Sequence, residues 1–381
     1  MSIATHTELT EQETALQAEA RDFAQQKLTP GALDRDREGM FPTDLYKKAA
    51  EAGFIGVKIP ESLGGRGLGL FDECLVMEEL AGGDPSFALT ISVSAGLCGG
   101  HLLHHGSDAQ KESRIRPITK GAIGAWAITE RVAGSHAAAL ECEARREGGA
   151  YIINGAKMFV TQGMDFEDMV IFARTAEGKE GISAFLIHKD DVGRRSVPLE
   201  QTLGMRSAGT AEIFFESCEI PAERLIGEEG AGLRQAMQVL KDGRVVLSAM
   251  CVGIAQASLE AAASHAKKRE AFGKPVSDFA GLRGMMAESA IDIVTSREMV
   301  VAAAKTRDAG GDNKEEVAMA KLFASEACLR VCDRGIQIHG GYGYIAETPA
   351  GMFWRDARVF TLGEGTSEVH RNLVCRYLFD S

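Results

Sequence analysis

Long apolar runs are missing from this sequence. No uninterrupted hydrophobic stretch reaches the roughly 18 residues that a bilayer-spanning helix needs, which argues against a membrane span. Basic tracts are missing too. Lys and Arg number 42 against 54 Asp and Glu, for a net charge of -12, and they occur as short clusters such as Lys267-Lys268-Arg269. That balance argues against a general nucleic-acid binder. The eight cysteines lack metal-site or disulfide-framework spacing and read as reduced, mostly buried thiols. His101, His104 and His105 could share a helix face, but no Cys or acid stands at ligand spacing beside them, so no metal is expected. The first residues, MSIATHTELTEQETALQAEARDF, are acidic and helical in pattern, unlike a signal peptide. These features together predict a soluble cytoplasmic protein.

What is present changes character twice. With 381 residues the chain suits two or three domains. Residues 1–120 are helical in pattern: TEQETALQAEARDFAQQKL carries apolar residues at helical spacing and stops at Pro30-Gly31, PTDLYKKAAEAGFIG repeats the form, and FDECLVMEEL reads as an amphipathic helix. Over 121–231 the segments AIGAWAITE, AYIINGAKMFVTQ, DMVIFAR, GISAFLIH and TAEIFFE are short, β-branched and aromatic, with turn residues between. They predict a compact antiparallel sheet. Long small-residue-rich helical tracts fill 232–381 and predict a four-helix bundle. The fold class is therefore α+β, with an N-terminal helical domain, a middle antiparallel β domain and a C-terminal bundle. PESLGGRGLGL is glycine-rich but follows no strand and lacks GK[ST], so it reads as a loop. Gly341-Tyr-Gly-Tyr-Ile-Ala346 fits G-x-G-x-x-A but lies outside any strand-helix-strand unit, and a Rossmann site is rejected.

The stretch RDARVFTLGEGTSEVHRN, Arg355 to Asn372, sets one carboxylate, Glu364, between Gly363 and Gly365. Glycines flanking an acid mark a tight turn that lets another molecule come close. A carboxylate there, beside Val359, Phe360 and Leu362, can be desolvated enough to serve as a base near neutral pH. Taken alone, the pattern reads better as a loop followed by a helix cap, with Thr366 or Ser367 capping and Glu368 in the first turn.

RDAR followed by EGTSE resembles the C-terminal signature of the acyl-CoA dehydrogenase family, and AITERVAGSH and KKREAFGKPV resemble two further signatures in the expected order. The likeness covers essentially the whole chain. It implies the same three-part fold, FAD as cofactor between sheet domain and bundle, and Glu364 as the base that removes the proton alpha to a thioester carbonyl. By the same resemblance, the segment Trp126 to Ser135 meets the flavin. Trp126, Ile128, Thr129 and Gly134 belong to that contact, and Ser135 lies near the pyrophosphate and the thioester ligand. Phe159 packs on the isoalloxazine and Thr161 contacts N5; Phe159 also reads as an ordinary inward-facing strand residue. Arg269 with Phe272, and Gln337 with Gly340 and Gly341, reach the FAD of a neighbouring subunit, while Thr366 and Glu368 lie on its adenylate side. Each alone would be a helix-end charge or cap. Cross-subunit contacts imply a dimer or tetramer.

The sequence departs from the family pattern in places. The usual TEPGAGSD reads TERVAGSH here, with Arg131, Val132 and His136 as the changes, and Ala280 stands where a flavin-contacting Gln is common. Some members carry the base directly before the arginine of the first bundle helix; here that position is Gly243, before Arg244. Arg244 is assigned to ligand positioning or to a structural ion pair. Gly363 and Gly365 flank the thioester, and a Gly just before the base resembles isovaleryl-type members, which implies a short or branched acyl group. The expected function is FAD-dependent α,β-dehydrogenation of an acyl thioester, on CoA or on a carrier protein in a biosynthetic pathway, with an electron-transfer flavoprotein as acceptor. A flavin oxidase or monooxygenase is the second reading, and a non-catalytic flavin-binding scaffold the third.

Overall fold

In the computed structural model, which describes residues 7–379, eight helices come first: α1 (Glu11–Phe23), α2 (Ala32–Glu38), α3 (Thr43–Glu51), α4 (Leu70–Gly83), α5 (Pro85–Ile91), α6 (Gly100–His105), α7 (Asp108–Gln110) and α8 (Arg116–Thr119). Thr10 starts α1 with a capping box, its hydroxyl taking the Glu13 N–H while the Glu13 carboxylate takes its own. FDECLVMEEL lies within α4, which is buried on nearly every side, Glu73 and Glu78 included. It is a core helix, not a surface amphipathic one. Between α5 and α6 the chain winds as a π-helix over Ser92–Gly99, a form that recurs at functional sites.

Eight strands follow: β1 (Gly124–Ala127), β2 (Glu143–Glu147), β3 (Ala150–Val160), β4 (Asp168–Arg174), β5 (Ile182–His188), β6 (Arg194–Pro198), β7 (Ala211–Pro221) and β8 (Leu225–Ile226). The order is β6-β7-β3-β2-β4-β5-β8, and β1 also pairs with β4. Most pairings are antiparallel, but β1 and β2 both run parallel to β4. Strand β3 is irregular twice against β7, the second time between Lys157 and Val160. That bulge turns Phe159 outward at φ +58°, with 63% of its surface exposed.

The last part holds α9 (Gly232–Lys268), a short hairpin of β9 (Glu270–Ala271) and β10 (Lys274–Pro275), α10 (Ala280–Asp308), α11 (Lys314–His339), α12 (Pro349–Ala357) and α13 (Ser367–Phe379). Helices α9, α10, α11 and α13 form the bundle, and α4 packs onto α9. A methyl on Gly253 would lie 1.8 Å from the Glu78 carbonyl oxygen, so the α4–α9 crossing requires glycine there. Two helical stretches, Pro85–His105 and Gly232–Lys268, have the length and hydropathy of membrane spans, but 78% of each apolar window is buried inside the fold. They are core helices. All eight cysteines are free, and seven are buried.

Candidate active site

The RDAR segment anchors the site. Arg355 pairs with Asp36, and the buried Asp356 takes the Met205 N–H at 2.6 Å. The chain end is thereby tied to both the helical and the sheet layers. From there it enters two successive residues of left-handed backbone, Glu364 at φ +53° and Gly365 at φ +101°. A carboxylate-bearing residue in that conformation is strained, and the surroundings hold it. Arg244 of α9 donates its Nε to the Glu364 carbonyl at 2.9 Å. His370 of α13 stands 3.4 Å from the same oxygen, and Lys321 of α11 donates to the Gly365 carbonyl.

The two cations, Arg244 and Lys321, grip the backbone and leave the carboxylate bare. Glu364 Oε2 is fully out of solvent and has no hydrogen-bond partner, although parts of the residue are exposed. Desolvation pushes the carboxyl up to about 7, against the opposing pull of Arg244 and Lys321. The carboxylate rests on Gly243, where a methyl would come 2.9 Å from Oε2 and 2.9 Å from Leu97 Cδ2. The position at which some members of the resembled family carry their base is thus, in this chain, the seat of the Glu364 carboxylate.

Next to Gly243 lies a small apolar cluster of Val93 and Leu97 from the π-helix with Val239 and Leu240 from α9, against which Leu89 and Trp126 pack. It joins the Glu364 carboxylate to the sheet. Trp126 of β1 has a buried indole N–H without a partner, and Thr129 presents its carbonyl to the Met158 N–H at 2.8 Å. Ile128, Thr129 and Thr161 are half-buried near that strand end, with Phe159 exposed beside them. Gly134 and Ser135 sit on an exposed loop. Its base is fixed by Glu130, which takes the Lys157 ammonium at 2.6 Å and the N–H groups of Glu141 and Cys142. The departure at Arg131 has a structural use: its guanidinium forms a two-pronged pair with Glu212 of β7, 2.7 Å on each prong. His136 is exposed on the same loop.

Arg269, Phe272, Gln337, Gly340 and Gly341 come together elsewhere, lining an open cleft of about 740 Å³. At 1.5 Å rise per residue that cleft stands roughly 39 Å along α9 from Gly243. Phe272 is 96% exposed there, and methyls on Gly340 and Gly341 would meet open space. Thr366 caps α13 by taking the Val369 N–H at 3.4 Å, and Glu368 is exposed in its first turn beside Arg371, as a plain helix start requires. A further cavity of about 670 Å³, bordered by Arg21, Glu78, Gln256, Arg297 and Phe353, touches neither group of residues.

Three family descriptions match the chain in order: the N-terminal domain of acyl-CoA dehydrogenase over residues 10–122, the middle domain over 125–218 and the C-terminal domain over 230–379. The chain is 38% identical to the mitochondrial short-chain specific acyl-CoA dehydrogenase of Rattus norvegicus over 98% of its length and 92% of that protein. It is 37% identical to the CarC subunit of the caffeyl-CoA reductase-Etf complex of Acetobacterium woodii, covering 96% of this chain and 97% of that one. The solved butyryl-CoA dehydrogenase of Megasphaera elsdenii superposes with a TM-score of 0.94 at 32% identity, over 98% of this chain and all of that one.

Proposed function

This chain belongs to the acyl-CoA dehydrogenase family, an FAD-dependent family of oxidoreductases, and we propose that Glu364 is the base that takes the α-proton of its acyl-CoA substrate. The observation that carries this reading is the bare, buried Oε2 of Glu364 on a turn whose backbone is gripped by two cations.

The residues present fit a flavin. The orphaned Trp126 N–H, the outward Phe159 on its bulge and the open space over Gly134 are features a bound ring and phosphate would complete. Trp126, Ile128, Thr129, Phe159 and Thr161 would hold the ring, and Gly134 and Ser135 would meet the phosphate and the thioester. When bound, FAD supplies the acceptor for the β-hydride. Glu364 supplies the complementary step. Its desolvated carboxylate lies within the protonation range of neutral pH, and transfer of the α-proton to Oε2 relieves a buried, unpaired charge. The Glu364 N–H is the donor we assign to the thioester carbonyl, where negative charge develops as the proton leaves.

For the acyl group, Val93, Leu97, Val239 and Leu240 offer an apolar wall beside the base, and Gly363 adds no side chain next to it. A short or branched acyl chain suits that space. Arg269, Phe272, Gln337, Gly340 and Gly341 stand too far along α9 to reach a cofactor held at this chain's own base, so we assign them to the FAD of a second subunit, in a dimer or tetramer. Thr366 and Glu368 are assigned to the adenylate side. An electron-transfer flavoprotein as acceptor is supported by the likeness to a subunit of an Etf complex.

Anaerobic titration of the FAD-loaded enzyme with butyryl-, isobutyryl-, isovaleryl- and octanoyl-CoA tests the reading. Bleaching by the short or branched thioesters, faster than by octanoyl-CoA, is expected; bleaching by none of them would contradict it. Two further results are expected. Because the base must be ionised, kcat/KM for butyryl-CoA rises with pH through about 7, following the Glu364 carboxyl, and a flat profile from pH 5.5 to 8 would count against Glu364. Gly243→Val places methyl groups against both the carboxylate and Leu97 and should lower kcat about 10²-fold while the flavin stays bound, which stopped-flow reduction and the visible spectrum read together.

A further inference from the structure

Lys321 is unusual among the lysines of this chain. It sits in the middle of α11 with no exposed surface, and it shares the helix face of Val317, Ala324 and Cys328, where an apolar residue is expected. An ammonium taken so far out of water needs a strong reason to be there. Its hydrogen bond goes to the Gly365 carbonyl, the peptide next to the one that Arg244 holds through the Glu364 carbonyl. Two consecutive carbonyls of a left-handed turn are therefore clasped by cations from two different bundle helices. Among the described residues neither cation forms an ion pair with a carboxylate, and Glu364 Oε2 remains without a partner.

We propose that Lys321 is a positioning residue for the base: its ammonium holds the Glu364–Gly365 turn so that the carboxylate lies on Gly243, and its charge favours the ionised carboxylate without pairing with it. The inference rests on Glu364 being the base. The groups facing Lys321 are Arg244 and Cys251 on α9, Glu364 in the turn, Glu326 on its own helix and His370 on α13. Of the groups that act on the Glu364 carboxyl, Arg244 and Lys321 both draw it downward against desolvation. Burial in turn draws the Lys321 ammonium down to about 8, so it carries its charge at neutral pH. A merely structural lysine would support the fold but leave the ionisation of Glu364 alone.

The test uses the FAD-loaded enzyme and three variants, Lys321→Gln, Lys321→Met and Glu364→Gln, with anaerobic flavin reduction by butyryl-CoA followed from pH 5.5 to 9 and flavin content measured for each. Lys321→Gln keeps a donor for the Gly365 carbonyl but loses the charge. Its plateau rate is expected within a few-fold of the parent, with the acid limb moved to higher pH by about 0.5 or more. Lys321→Met loses both, and its plateau should also fall by roughly 10- to 100-fold. If Lys321→Met does not fold, the limb of Lys321→Gln decides alone. Parent-like limbs in the Lys321 variants, with Glu364→Gln inert, would overturn the role of Lys321 and leave the base in place. Reduction of Glu364→Gln at the parent rate would instead overturn the base, and the role of Lys321 with it.

Discussion

Replacing Glu364 by Gln is expected to slow flavin reduction by butyryl-CoA by at least about 10³-fold, near the upper range for removing a positioned general base, while FAD stays bound. Gln fills the same space on Gly243 and leaves untouched the Glu364 carbonyl that Arg244 holds. The turn is therefore retained and the loss falls on proton transfer. Stability should move the other way. The Glu364 carboxyl lies above its ordinary range in the folded state, so the folded chain binds more protons than the unfolded one between about 4.5 and 7. That contribution to stability is present below about pH 4.5 and is lost as pH rises through about 7. Glu364→Gln removes the dependence, and thermal melts should show it more stable than the parent at pH 8, with the gap closing toward pH 5. An equal gap at both values would mean that the carboxylate is not desolvated.

The second large effect is on folding and flavin retention together. Lys157 has no exposed surface and Glu130 is buried with it, 2.6 Å apart. Glu130 also takes the N–H groups that close the loop bearing Ser135. Glu130→Ala leaves a buried ammonium and two backbone donors without their acceptor, and should cost about 3–5 kcal/mol of stability in urea unfolding, with FAD lost on gel filtration. The double variant Glu130→Leu with Lys157→Met removes both charges and should recover part of the stability, since an apolar pair avoids desolvating either ion. It should not recover flavin binding, because the loop N–H groups remain without a partner. Full recovery of both would mean that the loop is not hung from Glu130.

Much of this was legible in the sequence because it is carried by local pattern. Helical periodicity marked α9, α10 and α11, and β-branched runs marked β3, β4, β5 and β7. The motif around Glu364 drew attention to an acid that the fold buries with one carboxylate oxygen unpartnered. What escaped was set by tertiary context. Strand β2 (EARRE) is charged along most of its length, β6 (RRSVP) opens on two arginines and closes on a proline, and both are mainly exposed, so alternation gives no signal for them. The parallel pairings of β1 and β2 with β4 follow from chain path rather than composition. The charges in α4 suggested a solvent-facing side, yet Glu78 is met by Arg297 and Glu73 lies beside Lys58, both inside the fold. The π-helix that brings Val93 and Leu97 to the Glu364 carboxylate has no sequence mark apart from its small residues. Lys321 did leave a trace: a lysine on the apolar stripe of a helix is a misfit on pattern alone. Its partner is a backbone carbonyl 44 residues away, which no spacing could reveal.

The central claim, that Glu364 takes the α-proton, is tested most directly by hydrogen exchange on a thioester that cannot complete the reaction. With sulfur in place of the β-carbon, no hydride can leave, and proton transfer stands alone. In D₂O at pH 8 the FAD-loaded parent should wash deuterium into the α-position of this acyl-CoA, followed by NMR, while Glu364→Gln with the same flavin content should leave it unlabelled. Exchange at the parent rate in Glu364→Gln would contradict the assignment and place the base on another residue.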